Sequence, residues 1–307
     1  MGTPVDIRRF VWADVAQFTA MFNEVNQLSG TERENDIEFM RQYLSQPSYG
    51  AEQNAFVAES GDRLTGFTVV FPELRIGRSV ASGGVLVPDR NRGIGRMLLR
   101  RSVEHSRSLG AGILHVQTSS DDAIAQRLLQ SEGFHKVRTY WSMRCEADSF
   151  EAPPMTSGYS IMPFVLDRDE ESLTRLQNAA FADSWGFCPN TTEETRARVR
   201  LKWSFPDGIL IVHDGERPAA YNWTLRARKD GASVGWIAMI GVHPDHRGQG
   251  LGEAVIGAGM ALLKNKGVRR IELEVDSANA AARRLYVKLG FQKIGEATWF
   301  ERNLAKE

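Results

Sequence analysis

Leu251, Val255, Ala258 and Leu262 recur at i, i+4, i+7 and i+11, the spacing of one apolar face of an α-helix. Lys264, Lys266 and Gly267 predict where that helix stops. Upstream, Leu173, Leu176 and Ala180 predict a helix over 169–182, and 193–203 reads as a second one. Between them 181–195 is a loop rich in Trp, Phe and Pro. Strands are predicted at 159–164, 209–213 and 218–227, with a turn at Asp214-Gly215. The run 234–242 is apolar on both faces, which marks a central strand. Ile271, Leu273 and Val275 alternate and predict another strand. A helix over 278–289 then stops at Gly290, and 291–304 reads as a closing strand or hairpin. This order of elements predicts an α/β domain built on a mixed sheet.

The first half of the chain repeats the second. Arg90-Asn-Arg-Gly-Ile-Gly95 aligns with Arg247-Gly-Gln-Gly-Leu-Gly252, and Gly133-Phe134 with Gly290-Phe291, both at an offset of 157. Between 85–134 and 242–291 no gap is needed, and 12 of the 50 positions are identical, against roughly three expected by chance. Upstream the offset is 154, where Gly61-Asp62-Arg63 matches Gly215-Glu216-Arg217, so the intervening hairpin differs by three residues. The polar stretch 146–158, which carries Pro153-Pro154, reads as the linker. A tandem duplication follows, with domains at 1–149 and 158–307.

Composition narrows the function. Lys+Arg and Asp+Glu are each 38, so net charge is zero. That argues against a nucleic-acid or anionic-membrane partner, whose attraction comes from a basic excess. The longest apolar stretch, near 254–263, is far short of the roughly 20 residues that span a bilayer. Two cysteines, Cys145 and Cys188, are too few for a disulfide framework, and no leader pattern opens the chain. The expectation is a reduced cytoplasmic protein.

The chemistry concentrates in Val242-His-Pro-Asp-His-Arg-Gly-Gln-Gly-Leu-Gly252, where a central strand meets a glycine-rich turn that opens a helix. Backbone N–H groups at such a turn lack helical acceptors and suit phosphate oxygens. Arg247 adds a positive charge. A P-loop would need Lys-Ser/Thr after the last Gly, where Glu253-Ala254 stands. A dinucleotide fingerprint has another spacing and belongs on the first strand of a domain. A tight turn that holds no ligand is the remaining alternative.

Arg-x-x-Gly-x-Gly after an apolar strand resembles the coenzyme A loop of the GCN5-related N-acetyltransferases. The resemblance implies two tandem GNAT domains, acetyl-CoA as co-substrate and no metal. It assigns the diphosphate to Arg247, Gly248, Gln249, Gly250, Leu251 and Gly252, and the pantetheine arm to backbone groups of Ile240 and Val242. Val275-Asp-Ser-Ala-Asn-Ala-Ala-Ala-Arg-Arg-Leu-Tyr286 resembles a later motif of the same family. It implies that Asn279 bonds the pantetheine and that Tyr286 sits near the sulfur. Seven residues is close to two helical turns, so the two share a face. A phenol there suits a general acid for the departing thiolate, and core packing is the plainer alternative. Glu274 is the candidate general base, beside Asp276, with a solvent-facing carboxylate as the alternative.

The first half departs from the pattern. Leu129 stands where Tyr286 does, Asp122 where Asn279 does, and Asn91 replaces the first Gly. Val85, Arg90, Arg92, Gly93 and Gly95 still suit a coenzyme A site, next to Arg96, Arg100 and Arg101. The expectation is a domain that holds the cofactor but is catalytically reduced, with a solvated basic helix start as the alternative. His243-x-x-His246 lacks a third metal ligand. Trp185, Phe187 and Trp203 line either an acceptor pocket or the core, and Cys188 reads as a bystander. The function expected is transfer of an acetyl group to a primary amine of a small molecule or peptide. A non-catalytic acyl-CoA sensor and a purely structural protein are the alternatives.

Overall fold

The computed structural model describes residues 4–28, 35–149, 156–229 and 232–305. Residues 150–155 of the expected linker, including Pro153-Pro154, lie outside the described residues. The first half contains β1 (Asp6–Arg9), α1 (Val15–Leu28), α2 (Ile37–Leu44), α3 (Ala51–Asn54), β2 (Ala55–Ser60), β3 (Arg63–Glu73), β4 (Arg78–Val85), α4 (Ile94–Ser108), β5 (Ile113–Ser119), α5 (Ala123–Ser131) and β6 (His135–Glu146). The second half contains β7 (Tyr159–Pro163), α6 (Glu170–Phe181), α7 (Thr192–Val199), β8 (Ser204–Asp214), β9 (Arg217–Lys229), β10 (Ala232–Val242), α8 (Leu251–Asn265), β11 (Arg270–Asp276), α9 (Ala280–Lys288) and β12 (Gln292–Asn303).

The fold is the mixed α/β one expected, in two compact units. The units and the duplicated halves differ in the closing strand. One unit is Met1–Thr139 with Glu296–Glu307, and the other is Tyr140–Gly295. In the first unit, Ala297–Asn303 of β12 pairs antiparallel with β5. In the second, Tyr140–Glu146 of β6 pairs antiparallel with β11. Strand alternation specifies which face is buried but not which edge a strand joins, so the exchange is invisible in the sequence. The alternative of a closing hairpin at 291–304 is replaced by one long strand.

In the second unit the strands run β7-β8-β9-β10-β11-β6, with only β10 and β11 parallel. Period-two alternation sorts the core. Ile209 and Ile211 pack with Leu173, Leu176 and Val199 of α6 and α7, whereas Leu210 and Val212 pack with Leu251 and Val255 of α8. Gly259 of α8 lies where a Cβ would overlap the Asn222 amide, so its lack of a side chain lets the helix sit close on β9. The first unit repeats the plan as β1-β2-β3-β4-β5-β12, with β4 and β5 parallel. Truncating a fully buried anchor such as Ile256 to Ala costs about 2–5 kcal/mol in cores of this kind.

Candidate active site

Between β10 and β11 the pairing covers only Val234–Ile237 against Arg270–Leu273. Past Ile237 the register of β10 on β9 shifts by one residue, which leaves Ala238 as a bulge. Its effect is visible in the packing. Ile237 lies in the cluster with Met260 of α8, yet Met239, two residues on, packs against α6. A bulge turns the faces over and bends its strand, and here the bend accompanies the parting of β10 from β11. The stretch Met239–Val242 pairs with β9 on one side and, among the described residues, has no strand on the other. His243 donates its N–H to the Ala219 carbonyl of the β9 side at 2.8 Å. By alternation, the backbone groups of Ile240 and Val242 turn to the open edge. The bulge accounts for one of the three extra residues of this half, because β4 pairs with β3 without a shift.

At the foot of β10 the chain passes a short 3₁₀ turn, Pro244–His246, and enters α8. Arg247 is extended, whereas Gly248 and Gly250 have φ of +78° and +78°. Side chains rarely adopt that region, which accounts for glycine at both. The first helical hydrogen bond runs from the Ala254 N–H to the Gly250 carbonyl. Among the described residues, the six N–H groups from Gly248 to Glu253 have no acceptor. A Cβ on Gly252 would meet only Val242 and Leu285, at 3.7 and 3.8 Å, and one on Gly248 would meet nothing. Protein packing therefore does not require these glycines, and the turn is a concavity lined with unpaired donors.

The side chains of the turn point elsewhere. Arg247 donates Nη2 to the Ala180 carbonyl at the end of α6, at 3.0 Å, rather than facing the N–H groups. Gln249 is tied down from outside. Its Oε1 accepts from the Tyr159 hydroxyl at 2.6 Å and its carbonyl from Thr156 Oγ1 at 3.3 Å. The Arg247 guanidinium sits at the negative end of α6. His243 and His246 have ring centroids 5.9 Å apart, and His246 Nδ1 lies 3.1 Å from the Tyr159 hydroxyl. Among the described residues no three His, Cys, Asp or Glu side chains are placed to share a metal.

Asn279 precedes α9 as its cap, and Tyr286 lies within the helix. Asn279 is exposed and caps the helix, its Oδ1 accepting from the Ala282 N–H at 3.0 Å. Its carbonyl oxygen is thus used, and its Nδ2 is the group left for a ligand. Tyr286 is 6% exposed, in the cluster with Leu273, Val275 and Phe291. Among the described residues its hydroxyl has no hydrogen bond, and burial pushes its pKa up to about 12. Glu274 is exposed on the opposite face of β11 from Leu273 and Val275. It is the first residue past the last β10–β11 pair, so it lies at the opening of the cleft rather than in an inward row. In the loop between α6 and α7, Phe187 stacks on Phe181 at 5.5 Å, and Cys188 is half-buried with its Sγ 4.0 Å from the Pro189 carbonyl.

The first unit repeats this geometry with altered details. Pairing of β4 on β5 stops at Ala81 and Val116, which leaves Ser82–Val85 open on that side. Asn91 holds φ of +61° and Gly93 +82°, so Asn replaces Gly in a conformation Asn tolerates. Asp122 caps α5 through the Ala125 N–H at 2.9 Å, as Asn279 caps α9, so that replacement keeps the capping bond. Leu129 is buried in the core. Arg90 Nε donates to the Val85 carbonyl at 3.2 Å and so occupies part of the open edge. Arg92 pairs with the buried Asp89, and Arg96 and Arg100 with the buried Glu132, so two buried carboxylates offset part of the basic patch.

Fold and site define a class: a mixed-sheet domain in which a turn of unpaired main-chain donors follows an open strand and opens a helix. Residues 18–134 and 171–291 match the Acetyltransferase (GNAT) family. The mycothiol acetyltransferase of Thermobispora bispora is 32% identical over 258 residues, 80% of this chain and 83% of that protein. That of Geodermatophilus obscurus is 29% identical over 300 residues, 94% of both. A tandem GNAT protein from the clavulanic acid biosynthesis pathway shares the fold with a TM-score of 0.77 at 17% identity, covering 99% of this chain and 100% of that one. A GCN5-related N-acetyltransferase from Sphaerobacter thermophilus does so at 0.74 and 22%, covering 98% and 96%. The chain belongs to the GNAT family, as a tandem acyl-CoA-dependent N-acetyltransferase. The alternative of a non-catalytic sensor finds no support in these relatives. Among the described residues no helix is long and apolar enough to cross a membrane.

Proposed function

We propose that the second unit moves an acetyl group from coenzyme A to a primary amine by direct attack, and that the first unit is catalytically reduced. The observation that carries this reading is the run of six unpaired N–H groups at Gly248–Glu253, placed where an open strand edge ends. A diphosphate on that turn would satisfy donors that otherwise rely on water. Backbone groups of Ile240 and Val242 are free to pair with an amide-bearing arm in the manner of an added strand. Acetyl-CoA supplies the thioester when bound, and coenzyme A leaves as the thiol. Tyr286 donates a hydrogen bond, and in the end a proton, to the sulfur that leaves. Glu274, at the opening, takes the proton that the amine loses, directly or through one water. In the first unit no phenol matches Tyr286, and Arg90 competes for the Val85 carbonyl.

The acceptor is a small-molecule or peptide amine, and a mycothiol-type acceptor, after the name of the relatives, is the first class to screen. The test is thiol release from acetyl-CoA against panels of amino sugars, cysteinyl compounds, antibiotics and peptides. Turnover with any of them supports the reading. Failure of the protein to bind acetyl-CoA in calorimetry contradicts it.

A further inference from the structure

The loop between α6 and α7 is closed at both ends by polar contacts that the transfer chemistry does not use. Asn178, in the last part of α6, donates Nδ2 to the Asn190 carbonyl at 2.9 Å. It also accepts the Asn190 N–H on Oδ1 at 2.8 Å. One side-chain amide thus copies a backbone pair across 12 residues, just before Thr191 caps α7. Inside the loop, Ser184 donates its N–H to the Phe181 carbonyl at 2.8 Å, and Phe187 donates to Ser184 at 3.2 Å. The loop is therefore an ordered element rather than a slack connection. The first unit carries the same clasp, Asn23 Nδ2 to the Asn35 carbonyl at 2.8 Å and the Asn35 N–H to Asn23 Oδ1 at 3.1 Å, before the Asp36 cap of α2.

The end of α6 also rests on the open strand. A Cβ on Gly241 would lie 2.8 Å from Ala180 Cβ and 3.3 Å from Phe181 Cε2, so glycine lets the helix end meet the unpaired stretch of β10 directly. Arg247 fixes this contact from the phosphate turn through its bond to the Ala180 carbonyl. That carbonyl is one of the four that an α-helix leaves without a partner at its end. A guanidinium there gains from the helix dipole as well as from the hydrogen bond. In the first unit the matched arginine does something else: Arg90 bonds its own strand at Val85 and leaves α1 unlinked to the turn by this route.

Resting on the transferase reading above, we propose that Arg247 and Asn178 are positioning residues for the acceptor. Arg247 ties the diphosphate turn to the end of α6, and Asn178 closes the loop that follows. Together they hold the segment bearing Trp185, Phe187 and Cys188 against the open edge of β10. Arg247 acts on the acceptor side and contributes little to cofactor affinity, although its place in the sequence motif points to the diphosphate.

The test uses the full chain with Arg247→Ala, Arg247→Lys and Asn178→Ala. Coenzyme A affinity is read by calorimetry, and amide hydrogen exchange of residues 182–190 by mass spectrometry without ligand. The expected result is an affinity within twofold of wild type in all three. Exchange in 182–190 should quicken tenfold or more in R247A and N178A and return near wild type in R247K, whose ammonium can still donate to Ala180. A tenfold loss of coenzyme A affinity in R247A, or unchanged exchange in both R247A and N178A, overturns the assignment. If the wild-type protein binds no coenzyme A, the transferase reading fails, whereas the exchange comparison still decides the role of the loop contacts.

Discussion

Replacing Tyr286 with Phe separates chemistry from packing. The side chain is buried in the core, its hydroxyl has no partner among the described residues, and burial alone raises its pKa to about 12. A proton on such a phenol is held about 5 kcal/mol more tightly than on an ordinary thiol near 8.5. Full transfer to a thiolate is thus uphill in the free protein, and catalysis must draw first on a hydrogen bond that strengthens as charge gathers on sulfur. Loss of a general acid typically costs about 10²–10⁴-fold, and the high pKa places Y286F in the lower part of that range, about 10²–10³. Stability should hardly move. The hydroxyl has no hydrogen bond to lose among the described residues and is not itself fully buried, so Phe should leave the melting temperature near that of wild type. The assay is thiol release under saturating acetyl-CoA, with thermal denaturation and coenzyme A calorimetry on the same preparation. The predicted pattern is a collapse in kcat, an unchanged Kd and a Tm near that of wild type. Turnover within threefold of wild type refutes the acid assignment and leaves Tyr286 as a packing residue. The wild-type profile should show no alkaline decline due to this phenol below pH about 11, because the protonated form is the donor.

The remaining predictions concern single interactions. Gly252→Ala adds a methyl group with room around it in a helix, so stability should hold or rise by up to about 1 kcal/mol while coenzyme A affinity falls. Equal affinity would remove Gly252 from the cradle. Asn279→Ala should cost about 1 kcal/mol in urea denaturation through loss of the α9 cap, whereas Asn279→Asp, the residue that caps α5, should cost almost nothing. His115 is buried, with Nε2 at 2.9 Å from Glu301 and Nδ1 at 3.3 Å from Arg78. Desolvation chiefly, and the Arg78 charge, hold its pKa below the ordinary value of 6.5. The unfolded chain then takes up the proton first, so stability should fall as pH drops below about 6.5, and His115→Gln should flatten that dependence in melts between pH 7.5 and 5.5.

Much of this structure is legible in the chain, and the parts that are not share a cause. The helix of Leu251, Val255, Ala258 and Leu262 and the strand of Ile271, Leu273 and Val275 follow from periodicity because each buries one face. The glycine turn is legible because Gly248 and Gly250 occupy a backbone region that side chains avoid. The bulge at Ala238 is hidden, since an apolar run buried on both faces reads the same with or without one residue slipped. The exchange of β6 and β12 is hidden because a strand carries no mark of its neighbour. The Arg247 contact to Ala180 is hidden for a similar reason: the motif fixes where its Cα stands, but a long side chain chooses among acceptors that only the tertiary structure brings near. Asn279 and Asp122 look like a functional difference in the sequence, yet both serve as helix caps.

The transferase reading requires that main-chain donors at 248–253 grip a diphosphate. It is tested most directly by titrating coenzyme A into isotopically labelled protein and following the amide resonances of that segment. Saturable shifts should concentrate at Gly248–Glu253, with slowed hydrogen exchange of the same amides. Tight binding that leaves those six resonances in place would contradict it.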